Sequence, residues 1–276
     1  YPRLGIVPGL ILAPGWSQIP EVGLALAAKA AKINGVYSAM ALLDLDTAKA
    51  KKYTDTKSVK EESGYTSPFC YPLWPCDRVG EYILAKSAVA GAMIQYMASD
   101  NEDVPNQSPS NHLLGVGGQC LEDGTEVYLD QDQANTVNGY GVTTAINQNG
   151  YRLWGNYTGA YPASSDAKDI WFAVRRMFSW QGNNFIQTYF DEVDDPMNNV
   201  LVQSVVDSEN IRCSAYAPKY WAGASIEYKS DDNPKTAILA GTMKFRQHIA
   251  PYTPAQEIVD IIDYDTDTLA AAVGGN

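Results

Sequence analysis

Between residues 142 and 178 the apolar pattern of the chain changes period, which constrains this region to a hairpin followed by a helix. Asn149-Gly150 separates two short runs of strand character, 142–147 and 151–154, and tolerates the positive φ angles of a tight two-residue turn. After Tyr161-Pro162, the oxygens of Ser164, Ser165 and Asp166 suit a helix start, with Asp166 or Ser165 as the N-cap. Ile170, Ala173, Val174, Met177 and Phe178 then recur at the spacing of one buried helical face, and Arg175 and Arg176 fall off that face.

The first half alternates strand and helix, as expected of a three-layer α/β domain. Residues 9–13 read as a buried central strand ended by Pro14-Gly15. Pro20 starts a helix over 21–33 that stops at Asn34-Gly35, and residues 36–45 form the next apolar run. The order implies a parallel βαβ unit. Residues 49–62 are charged and read as a solvated helix or loop. Residues 68–74 read as a strand broken at Pro72, placed at an edge or bulge. Residues 87–97 carry the small residues of a helix laid on a sheet, and the apolar segment 113–116 follows a proline-bearing loop over 104–110.

The hairpin-and-helix stretch resembles the start of the C-terminal domain of contractile tail sheath proteins of bacteriophages and phage-like bacteriocins. The matching residues are Val142, Thr143, Asn147, Asn149, Gly150, Arg152, Leu153, Trp154, Gly155, Asn156 and Thr158, continued by Val174, Arg175, Arg176, Met177, Phe178 and Trp180. The resemblance implies structural roles for Asn149, Gly150, Arg152, Trp154, Gly155, Arg175 and Arg176. The first half, with its PNQSPSN loop, is similar to the subtilisin-like middle domain of that family, a name that describes topology and carries no protease activity. The expected fold is therefore α/β plus α+β. Residues 1–140 form a three-layer subtilisin-like domain of Rossmann-like topology, and 141–276 a smaller α+β sheath domain. Family members usually carry an N-terminal arm before the first strand. Tyr1-Pro2-Arg3 leads almost directly into the Leu10 strand, so a truncated or processed chain is expected.

The formal net charge of −12 opposes nucleic-acid binding, which needs clustered Lys and Arg. No apolar run is long enough to cross a bilayer and no secretory pattern opens the chain, so membrane insertion is not expected and synthesis in the host cytoplasm is. Cys70, Cys76, Cys120 and Cys213 include no CxxC pair, and reduced, packed thiols are expected rather than a disulfide scaffold. His112 and His248 are the only histidines, and neither Ser17 nor Ser225 has the G-x-S-x-G frame of a nucleophile elbow. Residues 115–118 are a glycine-rich turn without the Lys-Ser/Thr ending of a phosphate loop. Asp263, Asp265 and Asp267 alternate like the first ligands of a calcium loop, but Thr268 stands where that loop needs glycine, so Asp265 or Asp267 is read as a helix cap. Asp191, Glu192, Asp194 and Asp195 form a solvated segment, with a paired-carboxylate site as the alternative. No catalytic residue, metal or cofactor is expected.

Residues 244–249 form one strand and Glu257, Ile258, Val259, Asp260, Ile261, Ile262, Asp263 and Tyr264 another, before a weak helix over 266–273. The resemblance implies that this last strand pairs with a sheet of a neighbouring subunit; closing its own sheet is the alternative. It further implies hexameric rings stacked helically around a tail tube, contraction that drives the tube through a cell envelope, baseplate and tail terminator partners, and residence in a virion tail or phage-like particle. Lys219, Lys229, Lys235 and Lys244 are candidates to face an acidic tube. A non-contractile assembly scaffold and an α/β hydrolase-like enzyme stay open as other readings.

Overall fold

The computed structural model describes residues 4–274; Tyr1, Pro2, Arg3, Gly275 and Asn276 lie outside the described residues. The chain runs β1 (Leu10–Leu12), α1 (Pro20–Ala31), β2 (Met40–Asp44), α2 (Thr56–Ser63), β3 (Cys70–Leu73), β4 (Cys76–Val79), β5 (Tyr82–Leu84), α3 (Lys86–Asp100), β6 (Gly118–Cys120), α4 (Gln131–Gly139), β7 (Thr144–Asn147) and β8 (Tyr151–Trp154). It continues through α5 (Ala167–Ile170), α6 (Phe172–Thr188), α7 (Asn199–Ala215), β9 (Trp221–Glu227), α8 (Lys235–Leu239), β10 (Arg246–Pro251) and α9 (Thr266–Val273).

Strands β1, β2 and β3 form a parallel sheet in that order. The two faces of β2 and β3 feed different cores, as strand alternation requires. Ala41, Leu43 and Cys70 pack with Ala27 and Ala30 of α1; Met40, Leu42, Tyr71 and Leu73 pack with Ala90 and Ile94 of α3, Leu153 and Phe172. The central strand is β2, not β1: β1 lies at the sheet edge and Leu12 is 37% exposed, because β3 covers only the far side of β2. Pro72 sits within β3 without a bulge. Its carbonyl turns away from β2 and accepts from Thr143 N at 2.9 Å, so its missing N–H faces the side where pairing is reduced to a single bridge. Residues 113–116 form no strand; Leu113 makes an isolated bridge to Arg152 along the side of β8.

The β7–β8 hairpin closes with Asn147 opposite Tyr151, so the loop is Gln148, Asn149 and Gly150, one residue longer than a two-residue turn. Asn149 and Gly150 adopt the positive φ values, 54° and 106°, that the sequence anticipates. Asp166 caps the helix start by accepting from Lys168 N, but only one turn forms; Trp171 is extended and α6 begins anew at Phe172.

The charged stretch around α2 is less solvated than its composition suggests. Lys60 is buried, and its ammonium donates to the carbonyls of Tyr140, at 2.9 Å, and Tyr161. Burial lowers Lys60 from 10.5 to about 8. Between those values the unfolded chain binds more protons than the folded one, so this residue's contribution to stability rises with pH across the window. Urea unfolding of the wild type compared with Lys60→Met is expected to show a relative gain of about 1–3 kcal/mol from pH 8 to 10.

Candidate assembly surface

Strands β9 and β10 form a two-stranded antiparallel sheet backed by α6 and α7, with Met177, Cys213, Tyr220 and Trp221 in the core beneath. Asn210 of α7 occupies the outer edge of β9. Its side chain donates to Ile226 O and accepts from Ile226 N, both at 3.0 Å. The N–H and C=O of one strand residue point the same way, so Ile226 faces away from β10 and its partner Gln247 faces away from β9. The outer edge of β10 carries no such side-chain cover among the described residues.

Beyond β10 one hydrogen bond holds the chain, and one further side chain lies close by. Tyr252 Oη donates to Pro218 O at 3.0 Å, and Gln256 lies near the Tyr157 hydroxyl. Residues 257–264 then form no strand and no ladder bond among the described residues, and every side chain from Glu257 to Tyr264 is exposed. Ile258 is 89% and Ile262 86% exposed. The strand expected here is absent from the isolated chain because no strand of that chain lies alongside to satisfy its backbone. Asp265 caps α9, accepting from Asp267 N and Thr268 N, as the alternation suggests.

The residues singled out by resemblance build the joints around β8. Gly155 has φ of 153° and a Cβ there would lie 2.5 Å from Thr143 Oγ1, which excludes a side chain. Arg152 donates to the carbonyls of Gln148 and Asn111, and Trp154 Nε1 to Asn135. Arg175 pairs with Asp169 at 3.1 Å and lies over the Phe69 ring. Arg176 departs from expectation. It is buried, its guanidinium 5.5 Å from the Phe172 ring centroid, and burial lowers it to about 10. Its neighbours include Ile94, Met97 and Pro109, so α6 is covered on more faces than a single stripe. Lys219, Lys229, Lys235 and Lys244 are all exposed. Lys219 pairs with Glu102 and Lys229 with Glu227, whereas Lys235 and Lys244 have no ion-pair partner among the described residues.

Two polar groupings escaped the sequence reading. At the end of β2, buried Asp44 accepts from Ser17 Oγ at 2.8 Å and from Ser87 N and Oγ, tying the loop after β1 to the start of α3. Beside it, the ammonium of Lys86 and the carboxylate of Asp77 form an ion pair with both side chains 0% exposed, and the second Asp77 oxygen has no partner. Burial raises Asp77 while Lys86 opposes the shift. On the β9–β10 face, Ser225 stands opposite His248, but the imidazole Nε2 contacts Glu227 Oε1 at 2.9 Å. No hydrogen bond joins Ser225 to the ring among the described residues. Neither the Asp44 cluster nor the β9–β10 face supplies a histidine-activated nucleophile: the cluster has serines without a histidine, and the sheet face has a histidine turned to a carboxylate.

No family model matches the chain. It is 27% identical over 197 residues to the major tail sheath protein of Serratia phage KSP20, covering 68% of this chain and 48% of that protein. It is 23% identical over 265 residues to the tail sheath protein of Escherichia phage P2, covering 92% of this chain and 62% of that one. The chain thus spans about half to three fifths of the length of these relatives. Among solved structures, it superposes on the PVC sheath complex of an extracellular contractile injection system in its contracted state with a TM-score of 0.75 and 18% identity, covering 97% of this chain and 73% of that one. That fold is a mixed arrangement of helices and sheets. By sequence the chain is similar to the tail sheath proteins of phages, and the likeness to the contractile injection system sheath adds the fold alone.

Proposed function

We propose that this chain is the structural subunit of a contractile tail sheath, assembling as stacked hexameric rings around a tail tube and contracting to drive that tube through a cell envelope. The observation that carries the reading is the segment 257–264, acidic and apolar by turns, exposed throughout and unpaired within its own chain among the described residues. An extended segment of this kind gains its backbone partners by adding to a sheet of another copy. The outer edge of β10 is the receiving side, because Asn210 already occupies β9 at Ile226. Transfer from one subunit to the next is heterologous, and heterologous contacts propagate into rings or helices.

In this reading residues 1–140 are the subtilisin-like middle domain and 141–276 the sheath C-terminal domain. The β7–β8 hairpin is bonded to β3 through Thr143 and buries Leu153 against Met40 and Leu42, which favours a seam after Trp154 over one at Tyr140. Contraction is a rigid-body change between two packings. Lys235 and Lys244 keep unpaired charge for an acidic tube surface, and Lys219 and Lys229 are the weaker candidates of the four. Baseplate and terminator proteins close the two ends of the array in a virion tail or phage-like particle assembled in the host cytoplasm, with no cofactor, nucleic acid or bilayer involved. Negative-stain electron microscopy of the full-length gene product tests the reading. Long hollow tubes are expected; tubes that never occur in a short, wide form favour a non-contractile scaffold, and a protein that stays monomeric at every concentration overturns the assembly role.

A further inference from the structure

Antiparallel pairing places Cys76 of β4 directly opposite Cys120 of β6, and both are free thiols. Val127 N donates to Gln119 O and Leu121 N to Thr125 O, which turns the backbone of Cys120 to β4. The two cysteines are therefore a hydrogen-bonded pair on one face with Cα atoms about 5.5 Å apart, inside the roughly 4.4–6.8 Å that a disulfide spans, and closure draws their Cβ atoms in to about 3.5–4.5 Å. The other two cysteines have no such partner. Cys70 faces Ala41 across the parallel sheet, and Cys213 lies within α7, where its carbonyl accepts from Trp221. We propose that Cys76 and Cys120 are a redox-responsive pair that closes to an intrachain disulfide when the protein meets a low-molecular-weight disulfide.

The order of events follows from access. Cys76 lines a cleft of about 280 Å³ with Pro14, Gly15, Asp44 and Leu84, whereas Cys120 is buried behind it. The Cys76 thiolate attacks one sulfur of the small disulfide, forming a mixed disulfide and releasing one half as a thiol. The Cys120 thiolate then attacks the Cys76 sulfur and expels the second half. Two protein thiols are oxidised, one small disulfide is reduced to two thiols, and the two cysteine protons end on those thiols. Burial pushes Cys76 up to about 12, with the carboxylates of Asp44 and Asp77 acting in the same direction and Lys86 against them. Burial raises Cys120 too, where Arg78 and Lys86 oppose Asp77 and Asp123. Thiolate is therefore scarce at neutral pH and closure is slow. The bond would clamp β4 to β6, the strands that precede and follow α3 in the sequence, whatever larger assembly the chain joins.

The test uses the full-length protein and oxidised glutathione. After prolonged incubation the sample is acid-quenched, unfolded, alkylated and digested without reductant, then read by mass spectrometry. The expected product is one cross-linked peptide pair holding Cys76 and Cys120, reversed by dithiothreitol, with Cys70 and Cys213 still alkylated and the circular dichroism spectrum unchanged. Cys76→Ser and Cys120→Ser should each abolish it, though the wild-type map alone decides. Persistence of both thiols under conditions that oxidise a control dithiol peptide overturns the proposal. So does a stable glutathione adduct on Cys76, a different cysteine pair, or linkage that forms only with a changed spectrum.

Discussion

Replacing Asp77 with alanine is expected to destabilise the chain by about 3–5 kcal/mol, because it strands the Lys86 ammonium where no water reaches it. A typical domain is stable by only about 5–15 kcal/mol, so this one truncation removes a large share. The damage comes from the orphaned charge more than from the lost attraction. Asp77→Ala combined with Lys86→Met should therefore recover most of the loss, since a methionine fills the lysine's volume without a charge. Urea unfolding of the wild type, the single variant and the double variant checks both statements. A single variant within about 1 kcal/mol of the wild type would show that water reaches Lys86 after all.

The second large effect is on assembly and leaves folding untouched. Ile258→Pro with Ile261→Pro in the full-length protein is expected to abolish tube formation while the monomer unfolds at the wild-type urea midpoint. Contacts within the monomer cannot explain such a loss, since both residues are almost fully exposed there. Successive N–H groups in a strand point to opposite sides, and positions 258 and 261 differ in parity, so one removed donor faces a partner strand whichever side receives it. Counting particles by electron microscopy at matched concentration reads the outcome. Tubes at wild-type yield would refute strand addition through this segment.

The sequence made local features visible where one short stretch determines the outcome. Pro20 opens α1, Asn34 and Gly35 turn left-handed after it, Asn149 and Gly150 take positive φ in the hairpin loop, and Asp265 caps α9. These depend on neighbours a few residues apart, which pattern reading captures. The burial of Lys60 and Arg176 was hidden, because both follow from elements far along the chain closing over what looked like a polar face. The Lys86–Asp77 pair and the meeting of Asp44 with Ser17 and Ser87 depend on how strands and helices converge at one end of the parallel sheet. No periodicity reports such convergence. The facing of Cys76 and Cys120 is of the same kind, since register across a ladder is set by pairing and not by spacing. Which edge of the β9–β10 pair is covered was hidden for a further reason: it depends on one asparagine side chain lying along β9.

The last hydrogen bond before the exposed segment is that of Tyr252, at Pro218. From there, the four residues 253–256 drawn fully straight reach about 13–14 Å. That length is a leash. In the proposed strand addition it caps how far a recipient can stand from its donor, and whatever part is slack at one spacing is the travel two tethered copies can undergo before the backbone pulls taut.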